Sequence, residues 1–174
     1  MSAQRGPEPG DVPVPKARAA TPEDAPALAR VLGDWVREAG WMPVLHTREE
    51  DEAFLRHLIA TSEVTALDDA SGFLARSAQE VLALYLAPAV RGRGLGRALL
   101  DRAKARSPRL ALWTFQANAG ARAFYAREGF REVRQTPGDN EEGLPDVLLA
   151  WEAPRDALRN PPGKAPGDAP REAP

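Results

Sequence analysis

The segment Val81–Leu100, VLALYLAPAVRGRGLGRALL, limits what this chain can fold into more than any other. An apolar run rich in strand formers breaks at Pro88, passes through Gly92, Gly94 and Gly96, and enters a helix-forming stretch. The order is strand, loop, helix. Glycine has no Cβ, so its N–H can be turned toward a ligand in backbone conformations that other residues resist. The helix that follows adds unpaired N–H groups and the positive end of its dipole. Such a turn makes a seat for an anion, a pyrophosphate above all. A tight strand-to-helix turn with no ligand is the plainer alternative.

Spacing narrows the choice of seat. A P-loop needs Gly-x-x-x-x-Gly-Lys-Ser/Thr, and no Lys here is followed by Ser or Thr; the dinucleotide fingerprint needs Gly-x-Gly-x-x-Gly, and the loop reads Gly-x-Gly-x-Gly. Seven basic residues (Arg91, Arg93, Arg97, Arg102, Lys104, Arg106, Arg109) stand against Asp101 alone between positions 91 and 109, although the net charge is −2. A basic stripe beside the seat suits a ligand carrying several phosphates, and a solvated helix face is the alternative for the residues after Arg97. Nucleic-acid binding would require a broader excess and a recognisable module, so no nucleic-acid partner is expected.

The rest of the chain surrounds this segment with alternating signals. Lys16–Ala20 reads as a short strand. Thr21-Pro22-Glu23-Asp24 is a helix start, followed by Leu28, Val31, Leu32, Trp35, Val36 and Ala39 at helical spacing and by Gly40 as a stop. A second helix carries Phe54, Leu55, Leu58 and Ile59 on one face, with acids from Glu49 to Glu52 in its opening turn and His57 near the edge of that face in a structural role. Val64–Leu67 and Phe73–Ala78 read as a hairpin, and Val81–Ala87 adds a strand. A helix from Gly94 to Arg106, a strand over Arg109–Phe115, a helix from Gly120 to Arg127 closed by Gly129, and strands over Phe130–Arg134 and Val147–Trp151 complete the order. The fold class is therefore α/β, a mixed and mostly antiparallel sheet with helices on both faces, in the order β1-α1-α2-β2-β3-β4-α3-β5-α4-β6-β7.

Ten of the 17 prolines lie in residues 1–15 and 154–174, so these read as disordered Pro-rich tails around a domain over residues 16–153. The chain has no cysteine, which rules out disulfides, thiolate metal sites and a cysteine acyl-enzyme; with His46 and His57 as its two histidines it cannot build a three-histidine zinc site, and no metal is expected. The N-terminus lacks an apolar core and the run Val81–Val90 is too short to cross a bilayer, so a cytoplasmic protein without membrane partners is expected.

Arg91, Gly94 and Gly96 form Arg-x-x-Gly-x-Gly, which resembles the acetyl-CoA signature of the GCN5-related N-acetyltransferases. The run from Asn118 to Phe130 resembles that family's Asn-x-x-Ala-x-x-Phe-Tyr-x-x-x-Gly-Phe, with Asn118, Ala121, Phe124, Tyr125, Gly129 and Phe130 at the fixed positions. The element order is that of the same family. The resemblance implies that the backbone of Arg91, Gly92, Arg93, Gly94, Leu95, Gly96 and Arg97 holds the pyrophosphate, with Arg91 and Arg93 adding charge. It implies that Leu84, Tyr85 and Leu86 pair with the pantetheine arm, helped by a bulge near Leu86 and Ala87, and that Asn118 and Phe124 touch the arm. Tyr125 would protonate the departing thiolate and the Leu86 N–H would stabilise the oxyanion. Glu80 is a candidate base, placed by strand alternation on the face of Leu82, Leu84 and Leu86 unless a bulge intervenes, and a water chain is the other.

The acceptor site implied by the resemblance uses the connection Trp41–Thr47, with Trp41 and His46, and the loop Thr136–Asp146, with Glu141 and Glu142 attracting a cationic amine. The expected activity is transfer of acetyl from acetyl-CoA, as co-substrate, to a primary amine of a small molecule or peptide. A non-catalytic acyl-CoA-binding module, a transferase using another acyl-CoA, and an interaction domain whose loop is merely a turn remain as alternatives. A homodimer stays open.

Overall fold

The computed structural model describes residues 14–154, and the two Pro-rich tails lie largely outside the described residues. Two compact units divide the chain, one ending at Asp101 and the other starting at Arg102.

The first unit contains β1 (Ala17–Ala19), α1 (Ala25–Ala39), α2 (Arg48–Thr61), β2 (Glu63–Leu67), β3 (Gly72–Ser77), β4 (Glu80–Leu86) and the opening turns of α3 (Leu95–Arg106). Its strands pair in sequence order, each antiparallel to the last, with Ala17 opposite Leu67, Val64 opposite Ala75 and Phe73 opposite Tyr85. One face of this sheet, carrying Val64, Ala66, Phe73, Ala75 and Ala83, packs against Ala25, Leu28, Leu55 and Leu58 of α1 and α2. Leu28 and Leu55 are fully buried, each adding about 1.5–3 kcal/mol of hydrophobic stabilisation. The helical stripes of the sequence are thus the inner faces, with one exception. Phe54 is 47% exposed and belongs to the outer side of α2. His57 is also exposed.

Each helix begins as its sequence dictates. Thr47 caps α2, its hydroxyl accepting from the Glu50 N–H at 3.2 Å while the Glu50 carboxylate accepts from the Thr47 N–H at 2.7 Å. Thr21-Pro22-Glu23-Asp24 forms a 3₁₀ turn before α1, and Gly40, at φ 68°, ends α1 in the left-handed region. Asp24 is the anchor of that entry. Its carboxylate takes both Arg18 guanidinium nitrogens at 2.7 Å and the Thr21 N–H at 2.8 Å.

The Arg18 hydrogen bonds hold the Asp24 carboxyl at about 2, below its usual 3.8. A depressed carboxylate contributes stability that is complete above the unfolded value and disappears as pH falls from there through about 2. The difference corresponds to about 2 kcal/mol. Asp24→Asn is therefore expected to be less stable than the unaltered protein near neutral pH, with the gap closing as pH approaches about 2. Denaturant unfolding across that range checks it, and a gap that stays constant would remove the ion pair as its cause.

The second unit holds the end of α3, β5 (Arg109–Phe115), α4 (Ala119–Arg127), β6 (Arg131–Thr136) and β7 (Asp146–Glu152). Here β7 lies between β5 and β6 and is antiparallel to both, with Leu112 opposite Leu149 and Gln135 opposite Val147. Ser107-Pro108 ends α3 as expected, and the Ala153 N–H returns to the Pro108 carbonyl at 2.8 Å. Among the described residues, no helix is long and apolar enough to cross a membrane.

Candidate functional site

β4 leads to the glycine loop, and its pairing decides which backbone groups it leaves to other partners. The Ala87 N–H donates to the Ser71 carbonyl at 2.8 Å, next to the pair Gly72 and Leu86. In an antiparallel ladder this makes Gly72–Leu86 and Leu74–Leu84 the pairs that do not exchange hydrogen bonds. Leu84 and Leu86 consequently direct their N–H and C=O groups away from β3, as pairing with an extended amide ligand requires. Gly72 is required opposite Leu86, since a Cβ there would run into the Leu86 side chain and lie 2.9 Å from the Tyr85 carbonyl oxygen.

The bulge in this pair is not near Leu86 and Ala87, where the sequence suggested one. Ala75 faces Ala83 while Arg76 faces Val81, so the extra residue is Leu82. This shift corrects the alternation argument for Glu80. Opposed residues share a face, and Glu80, opposite Ser77, therefore shares its face with Ala83 and Tyr85, whereas Leu84 and Leu86 point to the other side. Glu80 is exposed at the hairpin end.

After a 3₁₀ turn at Pro88–Val90, the chain passes Gly92 at φ 72° and Gly94 at φ 79° before α3 begins at Leu95. Both conformations favour glycine, and among the described residues nothing beyond the adjacent ones lies within 4 Å of a Cβ built at either. Gly96 differs. It is the second residue of α3 and has no positive φ, so its place in the motif is not a backbone requirement of this kind. The Gly94 carbonyl accepts from the Ala98 N–H at 3.0 Å, starting the helical ladder. The N–H groups of the first turn, Leu95 to Arg97, precede that ladder, in the position where a helix start presents its donors.

Arg91 is engaged with the protein itself. Its Nε donates to the Leu86 carbonyl at 2.9 Å and its Nη1 to Glu38 Oε1 at 2.8 Å, while Nη2 is buried without a hydrogen-bond partner among the described residues. The guanidinium in turn holds the Glu38 carboxyl below its ordinary range. Arg91 thus fastens the end of β4 to α1. Glu38 was not foreseen. An acid in the last turn of a helix opposes the dipole, which is the signal that a cation elsewhere holds it.

Of the expected acceptor residues in this unit, Trp41 meets the Trp35 ring edge-on at 5.9 Å, and Trp35 meets Tyr85 at 5.2 Å. Tyr85 in turn packs on Phe73, so its side chain belongs to the aromatic core. His46 is exposed beside the start of α2 and lowers the carboxyl of Asp51, which burial pushes up more strongly.

In the second unit the Asn118–Phe130 motif is a helix with both ends finished. The Asn118 side-chain oxygen accepts from the Ala121 N–H at 3.0 Å, capping α4. At the other end the Phe130 N–H donates to the Tyr125 carbonyl at 2.9 Å and the Gly129 N–H to the Ala126 carbonyl at 3.1 Å, with Gly129 at φ 87°. This is a Schellman motif, and its accompanying apolar contact is Tyr125 on Phe130, 5.4 Å between ring centres. Phe124 meets the other side of Tyr125 at 5.1 Å, and Tyr125 is 7% exposed. Lys104, read from the sequence as part of the basic stripe, instead donates to the Glu128 carbonyl at 2.8 Å.

Glu141 and Glu142 sit on the β6–β7 loop, which is held from within. Asn140 Nδ2 donates to the Leu144 carbonyl and to Asp146 at 2.8 and 3.0 Å, Thr136 donates to Asp146, and Gln116 reaches the Thr136 and Asp146 carbonyls at 3.2 and 3.0 Å. Asp146 is therefore a strut of the loop. Asp139 and Glu141 are exposed and Glu142 is half-buried.

Residues 50–132 match the family model of an acetyltransferase (GNAT) domain. The chain is 35% identical over 86 residues to the peptidyl-lysine N-acetyltransferase YjaB of Escherichia coli, a match covering 49% of this chain and 58% of that one. The chain thus spans little more than half the length of that curated relative. The solution structure of apo YjaB from Escherichia coli superposes with a TM-score of 0.67 and 25% identity, covering 81% of this chain and 99% of that one. The structure of yncA from Salmonella typhimurium with its cofactor acetyl-CoA superposes with a TM-score of 0.62 at 19% identity, over 90% and 99% of the two chains, a likeness of fold.

Proposed function

The chain belongs to the GCN5-related N-acetyltransferase superfamily, and from that premise we propose that it transfers the acetyl group of acetyl-CoA directly to a primary amine. The observation that carries this reading is the loop at the end of β4, where Gly92 and Gly94 take φ values of 72° and 79° immediately before the N-terminus of α3. That is an anion seat by backbone alone. The acceptor class most consistent with the name of the relative is the side-chain amine of a peptide lysine, and a small-molecule amine is the second candidate.

In this reading the pyrophosphate rests on the backbone from Arg91 to Arg97, and Leu84 uses the groups it turns away from β3 to hold the pantetheine arm, the Leu86 carbonyl being taken by Arg91. The amine nitrogen attacks the thioester carbon, and the Leu86 N–H donates to the oxygen as it becomes negative. The C–S bond then breaks, and Tyr125 gives its phenolic proton to the sulfur. Asn118 and Phe124 contact the cofactor arm, and Trp41, His46, Glu141 and Glu142 receive the acceptor. The amine's proton leaves through water in preference to Glu80, because the Leu82 bulge turns Glu80 to the face opposite Leu84 and Leu86. With no cysteine in the chain, the transfer does not pass through a cysteine acyl-enzyme.

Two measurements on the full chain test the proposal. Acetyl-CoA at about 100 times its dissociation constant is expected to stabilise the protein by about 2.7 kcal/mol in thermal unfolding. Lysine peptides and small amines are then screened for thiol release, with mass spectrometry of the acceptor. A thermal shift without acetyl transfer to any amine would convert the reading to a non-catalytic acyl-CoA-binding module, and the absence of any shift would overturn both.

A further inference from the structure

We propose that Lys104 is a positioning residue for Tyr125, acting through the C-terminal cap of α4. The inference rests on the reading of Tyr125 as the proton donor and concerns what holds its ring. Lys104 lies in the last turn of α3, where a lysine ordinarily extends into water, yet its side chain is 14% exposed. Its ammonium donates to the Glu128 carbonyl at 2.8 Å, has Glu128 Oε2 at 3.6 Å, and stands over the rings of Phe130 and Trp151 at 5.8 and 5.2 Å. An ammonium withdrawn from water needs such partners.

The place it holds is the terminus that fixes the tyrosine. Glu128 ends α4, and the carbonyls at a helix end lack intrahelical donors and carry the negative end of the dipole. The next two residues are Gly129, in the left-handed region, and Phe130. Phe130 holds Tyr125 twice, by its N–H on the Tyr125 carbonyl at 2.9 Å and by its ring on the phenol ring at 5.4 Å. Lys104 grips both ends of the segment Glu128-Gly129-Phe130, the carbonyl of the first and the ring of the last. Without that grip an apolar side chain at 104 still packs on Phe130 and Trp151, but the Glu128 carbonyl loses its ammonium donor and the Phe130 ring loses the cation above it.

The test is a cycle of Lys104→Met in the unaltered and Tyr125→Phe backgrounds, with kcat and KM for acetyl-CoA measured in each. Lys104→Met is expected to lower kcat on the order of 10- to 100-fold, as displacement of a reacting group does, while KM stays close to its starting value. In the Tyr125→Phe background the same change is expected to cost little more, because the hydroxyl it positions is gone. Lys104→Arg, which keeps a charged donor, recovers part of the loss, and Lys104→Gln, which keeps a neutral one, carries the same cycle if the Met variant does not fold. An equal loss in both backgrounds, or none in either, overturns the proposal.

A second readout needs no activity. Tyr85 and Tyr125 are the two tyrosines of the chain, and ring-labelled tyrosine is expected to show the Tyr125 resonances displaced in Lys104→Met with those of Tyr85 unmoved. Unmoved Tyr125 resonances overturn the positioning role. Displaced resonances in a protein that transfers acetyl to no amine leave the positioning role standing and count against the functional reading instead.

Discussion

Tyr125→Phe is expected to lower kcat by roughly 10- to 1,000-fold, close to the range for a positioned proton donor, with KM for acetyl-CoA little changed. The ring is the part of Tyr125 that packs, edge-on between Phe124 and Phe130 at 5.1 and 5.4 Å, and phenylalanine keeps it. What is lost is the hydroxyl, which on the proposed mechanism gains worth as charge develops on sulfur, and an interaction made in the transition state alone appears in kcat. Single-turnover kinetics with a lysine peptide separates chemistry from product release. A change confined to KM would assign the hydroxyl to binding, and an unchanged rate of chemistry would retire it as the acid.

Gly94→Val is expected to weaken acetyl-CoA binding by about 100-fold while the protein remains folded. At φ 79° a side chain is strained wherever it points, and a β-branched one most of all. Among the described residues, and apart from the two adjacent ones, no atom lies within 4 Å of the new Cβ, so nothing there obstructs the fold. The strain is relieved by rotating the loop, which turns N–H groups away from the anion, and losing one or two hydrogen bonds to a charged group costs about 1.5–3 kcal/mol each. Isothermal calorimetry measures the affinity and circular dichroism the fold. Undiminished affinity in the folded variant would remove the pyrophosphate assignment. Gly96→Ala serves as the contrast, because position 96 lies within the helix and demands no positive φ.

The element order and both motifs were legible in the sequence because they depend on local rules. Thr47 with Glu50, Gly40, Gly129 and the apolar stripes of α1 act within a few residues of where they stand. The features that escaped are set by partners distant in sequence or by pairing. Val81 to Leu86 is apolar at nearly every position, so nothing in the pattern shows which residue a bulge will skip, and the choice of Leu82 moved Glu80 to the other face. Arg91 looked like a charge for the seat because Glu38, its partner, stands 53 positions earlier. Lys104 looked like one cation among seven because its carbonyl acceptor lies 24 positions later. Phe54 satisfied the helical spacing of α2 and is nonetheless exposed, since spacing gives a face and not its width.

The β6–β7 loop is framed by a small set of side chains. Thr136, Asn140, Asp146 and Gln116 tie it together, while Asp139 and Glu142 take no part in those bonds. Gly138 and Gly143 complete the frame, for a Cβ at 138 would meet the Gly143 carbonyl at 2.8 Å. On the proposed reading of this loop as part of the acceptor site, Asp139 and Glu142 can be exchanged without removing any of the bonds that tie it, so the charge offered to an acceptor can change while the frame that displays it stays in place.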